Sequence, residues 1–115
     1  MAGGKGVSGW VTPQTLAGSW DLSLVEAQHA AMALEFRDKG YAMMLGPTTG
    51  PLGRSVYGSR LFEGWGSDPW LNGKMFGVGV KAIQQQDVIA SGKHYLGRKA
   101  VLDAMKYMML IDSSQ

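Results

Sequence analysis

"WDLSLVEAQHAAMALEFRDKGYAMMLGP", Trp20 to Pro47, decides the fold class. Val25, Met32 and Phe36 recur at helical spacing, and Leu24, Ala27, Ala31 and Leu34 form a second row. Ser23 followed three residues later by Glu26 reads as a capping box, in which hydroxyl and carboxylate each satisfy a free backbone N–H at the helix start. Lys39 suits the negative end of the helix, and Gly40 the left-handed position just past it. Tyr41 to Leu45 then reads as a short buried strand, ended by Gly46 and Pro47. A single glycine joins helix to strand, which is a tight αβ connection. His29 falls on the Val25–Phe36 face. It reads as a packed, hydrogen-bonded helix histidine, with metal ligation or catalysis as the alternative.

A second unit of the same kind follows in "GSDPWLNGKMFGVGVKAIQQQDVIASGKH", Gly66 to His94. Asp68 stands where an N-cap belongs and Pro69 at the first helical position. Leu71, Met75, Val78 and Ala82 or Ile83 give the helical period, and Val88 to Ala90 the next strand. Gly73, Gly77 and Gly79 weaken such a helix by about 0.5–1 kcal/mol each, unless they let it lie close against the sheet. Helix, strand, loop, helix, strand is an α/β pattern with a parallel sheet.

Bulk properties narrow the field little. The chain has 115 residues, enough for one domain at most. Its net charge of +2 is too small to imply nucleic acid, and the basic residues form no stripe. With no cysteine, neither a disulfide nor a zinc-cysteine site holds the fold. No apolar stretch approaches the roughly 18 residues of a membrane span. "MAGGKGVSGW", Met1 to Trp10, lacks the apolar segment of a secretory leader, so the location expected of the chain as it stands is unknown or cytoplasmic.

In α/β folds ligands gather beyond the carboxyl ends of the strands. Two segments reach that position: Lys93-His94 after the second strand, and the long loop from Gly46 to Pro69 after the first. Loops longer than about 12–15 residues inside a compact domain are functional or disordered. This one carries Arg54, Arg60, Glu63 and Asp68 among the aromatics Tyr57, Phe62 and Trp65. Forked donors, a carboxylate and exposed aromatic faces are what a sugar site uses. The plainer reading is that Glu63 and Asp68 pair with the arginines and brace the loop. A phosphate loop is excluded, because "GPTTGPLGR" lacks the Lys-Ser/Thr pair.

"LGPTTGPLGRSVYGSRLFEGWGSDPWLNGK" followed by "GVKAIQQQDVIASGKHYLG" resembles the N-terminal catalytic domain of glycoside hydrolase family 3, of the fungal β-glucosidase kind. The resemblance runs from about Pro13 to Gly97, with "GSWDLSLV" and "EFRDKGYAMMLGP" in order before the loop. It implies retaining hydrolysis of β-linked glucosides on a (β/α)₈-type barrel, with neither cofactor nor metal. It implies that Lys93 and His94 bind hydroxyls of the sugar, and that Arg60, directly before "LFE", is the sugar-binding arginine. Arg54 is a further candidate, with holding the loop as its other role. The partner implied is a β-glucoside or oligosaccharide, not nucleic acid or a membrane. The resembled family is secreted.

The resemblance also implies what is missing. Retaining hydrolysis needs two carboxyls roughly 5–5.5 Å apart. The family's nucleophile lies in a Ser-Asp-Trp-like motif beyond the Lys-His pair, and its acid/base later still. "SDPW", Ser67 to Trp70, is not that motif, so no catalytic residue is assigned in this chain. Three segments are expected: a mobile stretch over 1–12, the family segment over 13–97, and a Met-rich helical tail over 98–115 that departs from the family pattern. That departure reads as a truncated or mis-spliced frame, with a short sugar- or protein-binding product as the alternative. A complete barrel takes about 200–250 residues, so the fold expected is a partial, incomplete (β/α)₈ TIM-barrel-like fragment with parallel strands. Its open edges and uncovered apolar face invite self-association.

Overall fold

Two successive helix–strand units organise the chain. The computed structural model describes residues 6–49 and 60–94. Within them a short helix α1 (Pro13–Ala17) precedes α2 (Leu22–Asp38) and strand β1 (Met43–Met44), and a 3-10 turn (Leu61–Glu63) leads into α3 (Pro69–Gln84) and strand β2 (Ile89–Ala90). The strands pair in parallel with Met43 opposite Ile89 and Met44 opposite Ala90. The α/β pattern and the parallel pairing match the expectation. Both strands are shorter than the runs 41–45 and 88–90 that the apolar pattern marks.

Tyr41 explains the late start of β1. The Gly40 N–H donates to the Arg37 carbonyl at 2.8 Å and the Tyr41 N–H to the Phe36 carbonyl at 2.9 Å. Gly40 sits at φ +80°, and the Phe36 and Tyr41 rings lie 5.8 Å apart. This is a Schellman end with its apolar contact. Tyr41 therefore belongs to the helix cap, and pairing begins two residues later.

The start of α2 also differs from the expectation. Its N-cap is Asp21, whose carboxylate accepts from the Ser23 N–H at 2.8 Å and from the Ser23 hydroxyl at 2.6 Å. A charged acceptor already in the extended conformation outcompetes a hydroxyl further along. Ser23 thus lies inside the helix, and Glu26 is too far along to close a capping box. Helix α1 went unread, although Thr12-Pro13 carries the cap-then-proline signal of Asp68-Pro69. Thr12 Oγ1 accepts from the Thr15 N–H at 3.3 Å.

Residues 1–12 were expected to be mobile. The described part is tied to α2 by polar groups: Ser8 donates from its N–H and its hydroxyl to Glu35, and Gln28 donates to the Val11 carbonyl. Trp10 adds an apolar contact to the core. The tail 98–115, with Leu102, Met105, Met108 and Met109, lies outside the described residues.

α2 packs along α3, and both cover one side of the sheet. One core cluster gathers Leu16, Ala17, Val25, Trp65, Leu71 and Met75; the other gathers Met32, Ala33, Met44, Ile83 and Val88. The glycines of α3 are not equivalent. A Cβ at Gly79 would stand 3.1 Å from the His29 ring and 3.3 Å from Pro47, while Gly73 and Gly77 face open space. The close approach at Gly79 is to α2 and to the loop after β1, not to the sheet. On the opposite side of the sheet Met43, Leu45 and Ile89 are exposed.

Candidate functional site

Backbone pairing carries on beyond the strands and places the site. The Ser91 N–H donates to the Met44 carbonyl at 3.0 Å and the Lys93 N–H to the Pro47 carbonyl at 3.1 Å. Thr48 and Lys93 form an isolated parallel bridge. Gly92 passes so close to the Phe76 ring that a Cβ there would meet it at 2.6 Å. The Lys93–His94 peptide is cis. Lys93 and His94 thus lie past the carboxyl end of β2, beside the start of the loop from β1.

The other half of the site comes from the end of that loop. Asp68 caps α3 by accepting from the Trp70 N–H at 2.9 Å, as its sequence context predicts. Buried Asn72, one turn on, fastens the loop to the helix. Its Oδ1 accepts from the Trp65 N–H at 3.3 Å, and its Nδ2 donates to the Gly66 and Asp68 carbonyls at 3.0 and 2.8 Å. Trp65 is itself 1% exposed and lies 5.4 Å from the His29 ring. These ties hold the 3-10 turn that presents Arg60 and Glu63.

Arg60, Lys93 and His94 meet at Glu63. Arg60 Nη2 donates to Glu63 Oε1 at 2.9 Å. Glu63 Oε2 lies 3.9 Å from Lys93 Nζ and 3.8 Å from His94 Nε2. The Glu63 side chain is 12% exposed, those of Lys93 and His94 28% and 25%. Burial pushes the Glu63 carboxyl up, but the Arg60 hydrogen bond and the charges of Lys93 and Arg60 outweigh it and hold it below the ordinary glutamate value. One carboxylate thus faces two fixed cations and a histidine. The surplus of donors suits hydroxyl or other oxygen acceptors rather than a cation. A cleft of about 70 Å³ adjoins the cluster, lined in part by His29, Thr48, Phe62, Glu63 and Lys93.

Two sequence readings change. Trp65 is core and not the exposed face for a sugar that the sequence suggests; Phe62, 45% exposed, is the aromatic of the loop left to serve that purpose among the described residues. Tyr57 and Arg54 lie outside the described residues. Glu63, read as a brace for the arginines, also stands beside Lys93 and His94. Asn72 went unremarked, since an asparagine inside a helix gives no signal until its partners are known. His29 is 3% exposed and its Nδ1 lies 2.8 Å from the Val25 carbonyl, with burial holding its pKa below the usual histidine value. The packed reading is the one observed. Among the described residues no group of three or more His, Asp or Glu is arranged for a metal, and no helix is long and apolar enough to cross a membrane.

The model of the glycosyl hydrolase family 3 N-terminal domain matches residues 4–115. Probable beta-glucosidase M of Emericella nidulans is 40% identical over 93 residues, which is 81% of this chain and 12% of that protein. Beta-glucosidase A of Aspergillus kawachii is 43% identical over 89 residues, 77% of this chain and 10% of that protein. Among solved structures, beta-glucosidase D2-BGL from Chaetomella raphigera superposes with a TM-score of 0.79 at 31% identity, covering 84% of this chain and 14% of that one. The chain therefore spans a small part of the relatives it matches. With helix–strand units, a parallel sheet and a polar cluster at its carboxyl end, and the family match running almost from end to end, this chain belongs to glycosyl hydrolase family 3, within its N-terminal domain.

Proposed function

We propose that this chain supplies the sugar-binding part of a β-glucoside-hydrolysing site, with Arg60, Lys93 and His94 donating hydrogen bonds to hydroxyls of one glucose unit. Arg54 is the further candidate in the same loop. The observation that carries the reading is the convergence of the three side chains on Glu63 beyond the carboxyl ends of two parallel strands. The beta-glucosidase names of the relatives support it. On this reading the two helix–strand units are part of a (β/α)₈-type barrel, and the segment from 13 to 97 is the working part. The sheet's uncovered side, where Met43, Leu45 and Ile89 are exposed, drives self-association of the isolated chain.

Hydrolysis is a separate matter. Cleavage with retention needs a nucleophile and an acid of raised pKa about 5–5.5 Å apart. In the described part of the site Glu63 is ion-paired with a lowered pKa and Asp68 caps α3. The chain therefore binds without turnover. The test is a glucose titration followed by NMR, beside a chromogenic aryl β-glucoside assay. The expected result is weak, saturable movement of the His94 signal and no hydrolysis above background. A His94 signal that ignores molar glucose overturns the binding reading. Turnover that disappears in the Glu63→Gln, Asp68→Asn double variant overturns the assignment of those carboxylates.

A further inference from the structure

Glu63 contacts all three side chains assigned above to the sugar, and its two oxygens are used differently. Oε1 takes a direct hydrogen bond from Arg60 at 2.9 Å, a neighbour in its own turn. Oε2 is buried, accepts no hydrogen bond, and lies 3.9 Å from Lys93 Nζ and 3.8 Å from His94 Nε2, both from the segment after β2. At that range the carboxylate holds Lys93 by charge, and His94 likewise when its ring is protonated, without spending their N–H groups on itself. A brace that served only its own loop would need Arg60 alone. This carboxylate instead spans the two segments that make the site, at the point where two fixed cations and a histidine would otherwise repel.

We propose that Glu63 is the positioning residue of this site: its carboxylate sets where Arg60, Lys93 and His94 point. The proposal rests on the sugar-binding reading of those three side chains.

The full chain tests this by NMR. It holds two histidines, His29 and His94, and three glutamates, Glu26, Glu35 and Glu63, so each imidazole and each glutamate carboxyl is followed singly. In Glu63→Gln the His94 titration midpoint falls by about half a pH unit or more, as expected when a carboxylate within about 4–6 Å is removed. His29 stays where it was. Glu63→Asp, which keeps the charge, restores most of the shift. Glucose added to the same samples moves the His94 signal in the wild type and less in Glu63→Gln. An unmoved His94 midpoint, with glucose acting equally on both proteins, overturns the positioning role and leaves the sugar reading standing. A lowered midpoint with no glucose response in the wild type removes the sugar reading and leaves the carboxylate's hold on His94. Should Glu63→Gln disturb the fold, His29 reports it and the wild type decides: a Glu63 carboxyl that titrates at or above the ordinary glutamate value overturns the proposal.

Discussion

The described residues bury polar groups in two places, and they are built in opposite ways. At His29 a neutral ring lies inside the packing of α2, α3 and Trp65, and its Nδ1–H donates to Val25 one turn back on the same helix. At Glu63 an ionised carboxylate joins donors from two distant segments and stays partly open. The first arrangement is complete in itself and belongs to stability. The second, on the reading proposed above, belongs to binding.

The largest expected effect separates these two roles. Trp65→Ala removes a fully buried indole from one core cluster and uncovers His29, and costs about 3–5 kcal/mol. Arg60→Ala removes an arginine whose side chain is 48% exposed, and costs far less. Urea unfolding measured by fluorescence and circular dichroism checks both. Equal losses would erase the division between the packed centre and the binding centre.

A smaller effect sharpens the contrast through pH. Burial is the main cause of the lowered His29 pKa, and its hydrogen bond to Val25 opposes it only in part. The unfolded chain therefore takes up a proton on this histidine before the folded one does. Stability is full above the unfolded value of about 6.5 and is lost as pH falls through it, with a ceiling of about 1.4 kcal/mol per pH unit for one proton. Glu63 has the other linkage. Its lowered carboxyl contributes stability that is present above the unfolded glutamate value of about 4.3 and is lost only at more acid pH. Between pH 7 and 5.5 the change in stability should be less favourable in the wild type than in His29→Gln, since His94 beside Glu63 is common to both. Equal slopes in that window would mean that His29 is not the group that titrates.

The sequence disclosed the elements better than their edges, and the ingredients of the site better than its centre. Asp68-Pro69 predicts the start of α3 because both effects are local. Gly40 marks the end of α2 for the same reason. Strand ends are another matter, since β1 begins where α3's strand finds it and where the Schellman end of α2 releases Tyr41. The role of Trp65 was read wrongly because an aromatic in a polar loop looks exposed until Asn72, Gly66 and His29 are placed around it. Arg60, Lys93 and His94 are assigned to a sugar by a resemblance alone, and the structure gathers them around Glu63. That one carboxylate touches all three follows from the parallel pairing, which no local pattern contains.

The smallest effect concerns two glycines on one helix. In Gly73→Ala the new methyl meets nothing within 4 Å, so only the helix propensity changes. The gain is about 0.5–1 kcal/mol. In Gly79→Ala the same gain is opposed by contacts at 3.1 Å to His29 Cδ2 and 3.3 Å to Pro47 Cγ. His29 has little room to yield, because its Nδ1 is held at 2.8 Å to Val25 and its ring lies against Trp65. Pro47 follows β1 directly, and its carbonyl takes the Lys93 N–H, so a shift there reaches the site. Gly73→Ala should therefore raise the unfolding midpoint and leave the His94 signal in place. Gly79→Ala should leave the midpoint at or below the wild-type value and move that signal. If both variants stabilised the chain alike and neither moved His94, α3 would have slack against His29, and the packed centre would not be joined to the binding centre through Pro47.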